Sequence, residues 1–372
     1  MPTIDHRSPL FGKILQPARE GVRKVLKSNV AEIFIFSATG TGGWEAALSN
    51  TLSSGDKVLA ARNGMFSHRW IDMCQRHWLN VDIVETPWGS GIPADRYEDI
   101  LRNDKTHEIK VVLATHNETA TGVTSDIGAI RKALDAANHP AMLFVDGVSS
   151  IASMDFQFDE WGVDVAVTGS QKGFMLPSGL AIVGFSAKAM AATKSACLPR
   201  TFFDVNDMMN AYAKNAYPYT PAAGLLNGLS QSCTLLLEEG LENVFARHHR
   251  IAEGVRQAIK AWGLKLCAEE PSVYSDTVST IRTPAAFDAT GIVSHAAEKY
   301  GVAFGVGLGE VASKVFRIGH LGSLTDVMTL SGIATAEMCM VDLGLNISLG
   351  SGVAAAQKYY SGSFTTSQKD AA

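Results

Sequence analysis

The chain has 372 residues, 46% of them hydrophobic, which is too much for one small domain and suits one large domain plus a smaller one. Basic side chains number 32 against 37 acidic ones, a net charge of −5 with no long run of either sign, so nothing points to nucleic acid or a membrane surface as a partner. The 5 cysteines are scattered without a CxxC pair, which reads as a reducing, cytoplasmic protein, and no apolar stretch reaches the length of a membrane span.

The opening Met1-Pro2-Thr3-Ile4-Asp5-His6-Arg7 lacks the apolar segment of a signal peptide. A Gly/Thr-rich turn, Thr39-Gly40-Thr41-Gly42-Gly43, precedes a helical pattern over 43–51. Apolar runs at 58–61, 81–84, 111–115, 142–146, 163–168 and 180–185 predict strands. Helical patterns lie between them at 67–76 and 127–137, the latter with Ile127, Ile130 and Leu134 on one face. Strand–helix alternation with continuous apolar strands predicts an α/β fold built on a mostly parallel sheet covered on both faces. The rhythm changes after Gly240, to a long helix over 241–262, a strand at 277–281, a helix at 291–300, a Gly-rich stretch at 301–309, a strand at 314–318 and a last helix at 324–343. The expected division is a large domain over 1–240, a smaller α/β domain over 241–360, and a frayed polar tail over 361–372.

Several of these elements end in chemically useful residues. In Thr39-Gly40-Thr41-Gly42-Gly43, glycines let backbone N–H groups point inward at a helix start, and Thr39 and Thr41 add hydroxyls, so the turn reads either as a phosphate cup or as a plain helix cap. The dinucleotide fingerprint does not fit, because Glu45 stands where its last glycine belongs. Asp146 closes the run Met142-Leu143-Phe144-Val145, at the strand edge where open α/β sheets bind ligands. Lys172 closes Val165-Ala166-Val167-Thr168-Gly169-Ser170-Gln171 and has apolar residues after it, unlike an ordinary solvated lysine. A phosphate cup, a strand-end acid and a strand-end lysine are the set that pyridoxal phosphate requires: donors for its phosphate, an anion for its ring nitrogen and an amine for its aldehyde. Arg317 sits inside the apolar run Lys314-Val315-Phe316-Arg317-Ile318 and suits a substrate carboxylate or a structural ion pair. His116 has no second ligand at metal spacing and reads as structural or cofactor-contacting, while His248-His249 reads as a solvated helix face. No metal site is expected.

Together these segments resemble the class V aminotransferases that depend on pyridoxal phosphate, in particular the serine–glyoxylate and alanine–glyoxylate group. The resemblance spans nearly the whole chain. It is carried by 37–46, Thr115-His116-Asn117-Glu118-Thr119, Val145-Asp146-Gly147-Val148, Gly169-Ser170-Gln171-Lys172 and Phe316-Arg317-Ile318-Gly319. It implies the fold type I, aspartate-aminotransferase-like architecture and a homodimer. By resemblance Thr39, Gly40 and Thr41 cradle the phosphate with Gln171. Phe66 stacks on the ring, where many relatives carry tryptophan. Thr119 meets the ring hydroxyl, Asp146 the ring nitrogen and Val148 the opposite face. Lys172 is the Schiff-base lysine, Tyr217 and Thr220 reach the neighbouring subunit's phosphate, and Arg317 holds the substrate α-carboxylate. The implied reaction moves the amino group of an L-amino acid to glyoxylate, giving glycine and a 2-oxo acid. Serine is the favoured donor and aspartate the alternative, to be told apart by a second cation among His68, Arg69 and His320. A cysteine desulfurase using Cys267 or Cys339 and a cofactor-binding protein without turnover rank lower. Relatives are expected to carry roughly twenty further residues ahead of Met1, with a Gly-Pro turn, which leaves open whether Met1 is the true start.

Overall fold

The six apolar runs become strands because each is too short to make a stable helix alone, and all but the run at 81–84, which is only partly buried, are covered on both faces. The computed structural model describes residues 5–363 and divides into two units. The first comprises residues up to Pro87, Gly91–Glu118 and Ser125–Val244. Its strands are β1 (Glu32–Phe36), β2 (Lys57–Arg62), β3 (Asn80–Glu85), β4 (Ile109–Thr115) and the short β5 (Asn117–Glu118); the short β6 (Val123–Thr124) falls in the second unit, and β7 (Met142–Asp146), β8 (Val165–Gly169) and β9 (Ala181–Phe185) return to the first. Seven of them form one sheet in the order β1-β9-β8-β7-β4-β2-β3. All run parallel except β9, which is antiparallel to both neighbours. The mostly parallel α/β sheet read from the sequence is therefore present, with β1 added to it.

Its helices are α1 (Gly12–Val25), α2 (Gly40–Thr51), α3 (Met65–Arg76), α4 (Ala94–Asn103), α5 (Ile127–Ala136), α6 (Ala187–Ala192), α7 (Val205–Tyr212) and α8 (Ala223–Glu239). α2 begins inside the expected turn, so Gly40 to Gly43 form its first turn rather than precede it. α1 packs on α8 closely because Gly21 has no side chain: a Cβ there would sit 2.5 Å from the Cys233 Cβ. Phe34, Phe36, Phe144 and Phe185 are fully buried along the sheet, each contributing about 2 kcal/mol by leaving water.

The second unit takes Trp88–Ser90, Thr119–Thr124 and the chain from Phe245 onward, so two short segments inside 1–240 belong to it. Backbone pairing explains both: Glu269 N–H donates to Gly89 O at 3.0 Å and Ser275 N–H to Gly122 O at 3.0 Å. The helix α9 (Leu241–Ala261) leads in. An antiparallel sheet follows in the order β10-β11-β13-β12, from β10 (Lys265–Leu266), β11 (Val278–Arg282), β12 (Gly305–Val306) and β13 (Val315–Gly319). With α10 (Thr290–Tyr300), α11 (Asp326–Asp342) and α12 (Ser351–Gly362) it encloses a core of Val255, Ile259, Ile281, Phe316, Ile333 and Met340. α12 was not expected from the sequence. Tyr360 anchors it, donating to Ile251 O at 2.9 Å and lying where Gly254 leaves room. The expected frayed tail therefore starts too early, since Ser361 and Gly362 end this helix; residues 364–372 lie outside the described residues. Among the described residues no helix is long and apolar enough to cross a membrane.

Candidate active site

Three parallel strands of the first unit lie side by side at their C-terminal ends, with β8 running two residues beyond the other two. Thr115 pairs in register with Asp146, and Asp146 with Val167. Beyond the strands the backbones stay linked: His116 N–H donates to Asp146 O at 3.0 Å and Gly147 N–H to Val167 O at 2.8 Å. The loops are stitched further by Ser149 Oγ donating to Asn117 O at 2.9 Å.

Asp146 is 4% exposed, and its Oδ1 accepts from Val148 N–H at 2.9 Å. Burial pushes its carboxyl up to about 7, and the negative charge of Glu118 pushes the same way, against the Val148 N–H, the Trp44 indole and the charge of Lys172. A buried acid poised near neutrality is waiting for a cation or a hydrogen-bond donor.

Lys172 follows β8 on a loop pinned by Ser170, whose Oγ donates to Pro177 O at 2.8 Å and accepts from Leu180 N–H at 3.1 Å. Gly173 is required next to it, because a Cβ there would collide with the Ile151 carbonyl. The lysine is half-buried.

The start of α2 meets this edge. A Cβ on Gly40 would lie 2.5 Å from Val148 Cγ2, and one on Gly43 2.6 Å from Val167 Cγ1. A Cβ on Gly169 would lie 2.8 Å from Gln171 Oε1 and 3.5 Å from the Gly40 nitrogen. Thr39, Gly40, Val148 and Gln171 thus converge, with Thr39 and Thr41 exposed. The first intrahelical bond is Gly43 N–H to Thr39 O, so the three N–H groups before it have no acceptor inside the helix and suit an anion. Gln171 Oε1 is buried without a hydrogen-bond partner among the described residues.

Phe66 stands in the first turn of α3, held from below by Glu118, a role the sequence did not disclose. The Glu118 carboxylate accepts from Phe66 N–H at 3.1 Å and from Ser67 N–H at 2.9 Å, capping the helix. Gly64 permits this, since a Cβ on it would overlap Glu118. The guanidinium of Arg69 lies 5.4 Å from the Phe66 ring centre; it is exposed and forms no ion pair with a described residue.

Other candidates are placed as follows. Tyr217 packs edge-on against Phe11 and Tyr212, and Thr220 is exposed. In the second unit, Arg317 donates to Thr119 O at 3.0 Å and Val306 O at 2.9 Å, which joins two residues 198 positions apart. His116 is wedged among Phe156 and Trp161, and burial takes it down to about 4, so it is a neutral core residue. His248 is not on a solvated face: it is 1% exposed and accepts from Gly322 N–H at 2.9 Å, because its side of α9 faces the second unit's interior. His249 is the exposed one of that pair. His320 is buried against Ser279 and the Asp276 carbonyl and pushed down to about 3, so it supplies no cation. Cys267 and Cys339 are both buried, and burial raises their thiols, the opposite of a mobile sulfur acceptor.

The family model described as Aminotransferase class-V matches residues 3–309. The L-aspartate–glyoxylate aminotransferase of Paracoccus denitrificans is 73% identical over 372 residues, covering 100% of this chain and 94% of that protein. The serine–glyoxylate aminotransferase of Hyphomicrobium methylovorum is 53% identical over 369 residues, covering 99% and 91%. Among solved structures, the pyridoxamine–pyruvate aminotransferase of Mesorhizobium loti matches with a TM-score of 0.91 at 29% identity, covering 98% of this chain and 92% of that one.

Proposed function

The chain belongs to the class-V aminotransferases, and from that premise we propose that it moves the amino group of L-aspartate to glyoxylate, giving oxaloacetate and glycine. The enzyme depends on pyridoxal 5′-phosphate, which when bound supplies an electron sink for negative charge at the substrate α-carbon. The residues present fit that group: a side-chain-free helix start for a phosphate, a buried acid for a ring nitrogen, and a lysine beside it. This convergence of the α2 start, Asp146 and Lys172 on one strand edge is the observation that carries the reading.

In this reading the N–H groups of Gly40 and Thr41 bind the phosphate with the hydroxyls of Thr39 and Thr41 and the amide of Gln171. Asp146 holds a proton at the ring nitrogen, and burial strengthens that pair. Val148 and Phe66 cover the two ring faces and exclude water, and Thr119 meets the ring hydroxyl. Lys172 holds the cofactor between turnovers and moves the proton at the substrate α-carbon. Arg317 orients the α-carboxylate. Tyr217 and Thr220 complete the phosphate site of a second subunit, so the working form is a homodimer. Five free thiols support a cytoplasmic location.

Aspartate takes precedence over serine here because the 73% identical relative over the full chain is named for aspartate, against 53% for one named for serine. A dicarboxylate donor needs a second cation. His320 is neutral, and of the two candidates that remain, His68 and Arg69, the permanently charged guanidinium of Arg69 over the Phe66 ring is the one assigned to it. The test is a half-reaction. Aspartate should bleach the visible absorbance of the holoenzyme at lower concentration than serine, and glyoxylate should restore it with release of glycine. Preference for serine would overturn the donor, and no bleaching by either would overturn the transamination.

A further inference from the structure

The second unit has an open groove of about 1130 Å³, lined by α9, β10, β11 and the loop after β10. Lys265 and Arg282 face each other in register across β10 and β11, so their side chains stand on one face of the sheet. Like charges placed directly opposite destabilise a sheet. Lys260, from the last turn of α9, lines the same groove. None of the three forms an ion pair or a side-chain hydrogen bond with a described residue.

Two of the groove's three carboxylates are paired with other cations, and the third, Glu269, is held by a hydroxyl. Arg256 pairs with Glu253 at 2.5 Å and with Asp276 at 2.6 Å, and Asp276 also pairs with His249 at 3.1 Å. Glu269 accepts from Ser90 Oγ at 3.2 Å. Ile259, Leu264 and Tyr274 add apolar wall. The groove carries four lysine and arginine side chains against three carboxylates, and Lys260, Lys265 and Arg282 are held by no ion pair within it, so a concavity of ligand size presents three cations to an anion. We propose that this groove binds a small polyanionic metabolite, a polycarboxylate or a phosphate ester, through Lys260, Lys265 and Arg282. None of these residues takes part in the transamination proposed above, so the two readings stand or fall separately.

The test uses the holoenzyme, so that the cofactor already fills the α2 start. Thermal unfolding and titration calorimetry are run at constant ionic strength with citrate, adenosine triphosphate and inorganic phosphate, against chloride. Citrate or adenosine triphosphate should raise Tm saturably, and whichever binds more tightly names the carboxylate or the phosphate class. The double variant Lys265→Gln, Arg282→Gln should bind that anion at least about tenfold more weakly. Without anion it should melt no lower than the parent, since a repulsive pair has been removed. Should the double variant fail to fold, Lys260→Gln on the exposed turn of α9 carries the same expectation. Stabilisation no greater than chloride gives, or one that survives these substitutions, overturns the proposal and leaves the cations as guards of an edge strand against pairing.

Discussion

Replacing Asp146 with asparagine tests the electrostatics at the centre of the site. In the cofactor-free fold, burial raises this carboxyl from its ordinary 3.8 to about 7. A tenfold change in proton affinity is worth about 1.4 kcal/mol, so the ionised form costs the cofactor-free protein about 4 kcal/mol once fully titrated. The unfolded chain gives up this proton near 3.8 and the fold near 7. Between those values the fold holds more protons than the unfolded chain, so stability falls as pH rises and levels off above the upper value. Asparagine does not titrate. Its own pairing defect, about 1–3 kcal/mol, is independent of pH and cancels when two pH values are compared. From about pH 5 to about pH 8.5, the variant should therefore gain about 3 kcal/mol of stability relative to the parent. Urea unfolding of both cofactor-free proteins at the two pH values measures this, with equal m values confirming that the same surface unfolds. A relative gain below about 1 kcal/mol would refute the buried, high-pKa carboxylate. Cofactor affinity should move the other way, weakening by at least about tenfold in equilibrium dialysis, because an amide cannot balance a ring cation.

Three further outcomes are expected. Lys172→Ala should lose the visible absorbance and the borohydride-reducible bond to cofactor, and a variant that keeps either places the Schiff base on another lysine. Gly40→Ala puts a methyl 2.5 Å from Val148 Cγ2 in the proposed phosphate cradle, so it should cost about 1–3 kcal/mol in unfolding and weaken cofactor binding; unchanged affinity would move the phosphate away from α2. Arg69→Ala should lower kcat/KM for aspartate by about tenfold or more while sparing serine, and weaken inhibition by succinate to match; equal losses for both donors would make Arg69 a support for Phe66 rather than a specificity cation.

What the sequence disclosed follows from how local each signal is. Apolar runs flanked by turns identified six strands of the main sheet; five are doubly covered and so continuous in hydrophobicity, while the edge strand β3 is only partly buried and alternates. Glu32-Ile33-Phe34-Ile35-Phe36 carries the same signal as those six, yet without a helix pattern read ahead of it the run had no place in the alternation, although it pairs with β9 along its whole length. The Gly-rich segment offered an anion site or a plain helix cap to the sequence reading, but not the first turn of a helix. Glycine is a poor helix former, and only contacts with Val148 and Val167, over a hundred residues on, show why no larger residue fits.

The least legible residues are those whose role is created by tertiary contact. Glu118 lies in the segment that pointed to the site, but its work is to cap α3 beneath Phe66, and a cap 51 residues away in sequence leaves no periodic trace. The same holds for Arg317, whose guanidinium is oriented by the carbonyl of Thr119. Burial is the main cause of the raised Asp146 carboxyl and Glu118 adds to it, so the residue that caps α3 beneath Phe66 also contributes to the ionisation of the acid proposed for the ring nitrogen. Removing its charge with Glu118→Gln should lower the Asp146 pKa and loosen the start of α3 together. A shallower pH slope in unfolding, accompanied by weaker cofactor binding, would show that one side chain couples the two; a changed slope with cofactor binding intact would separate them.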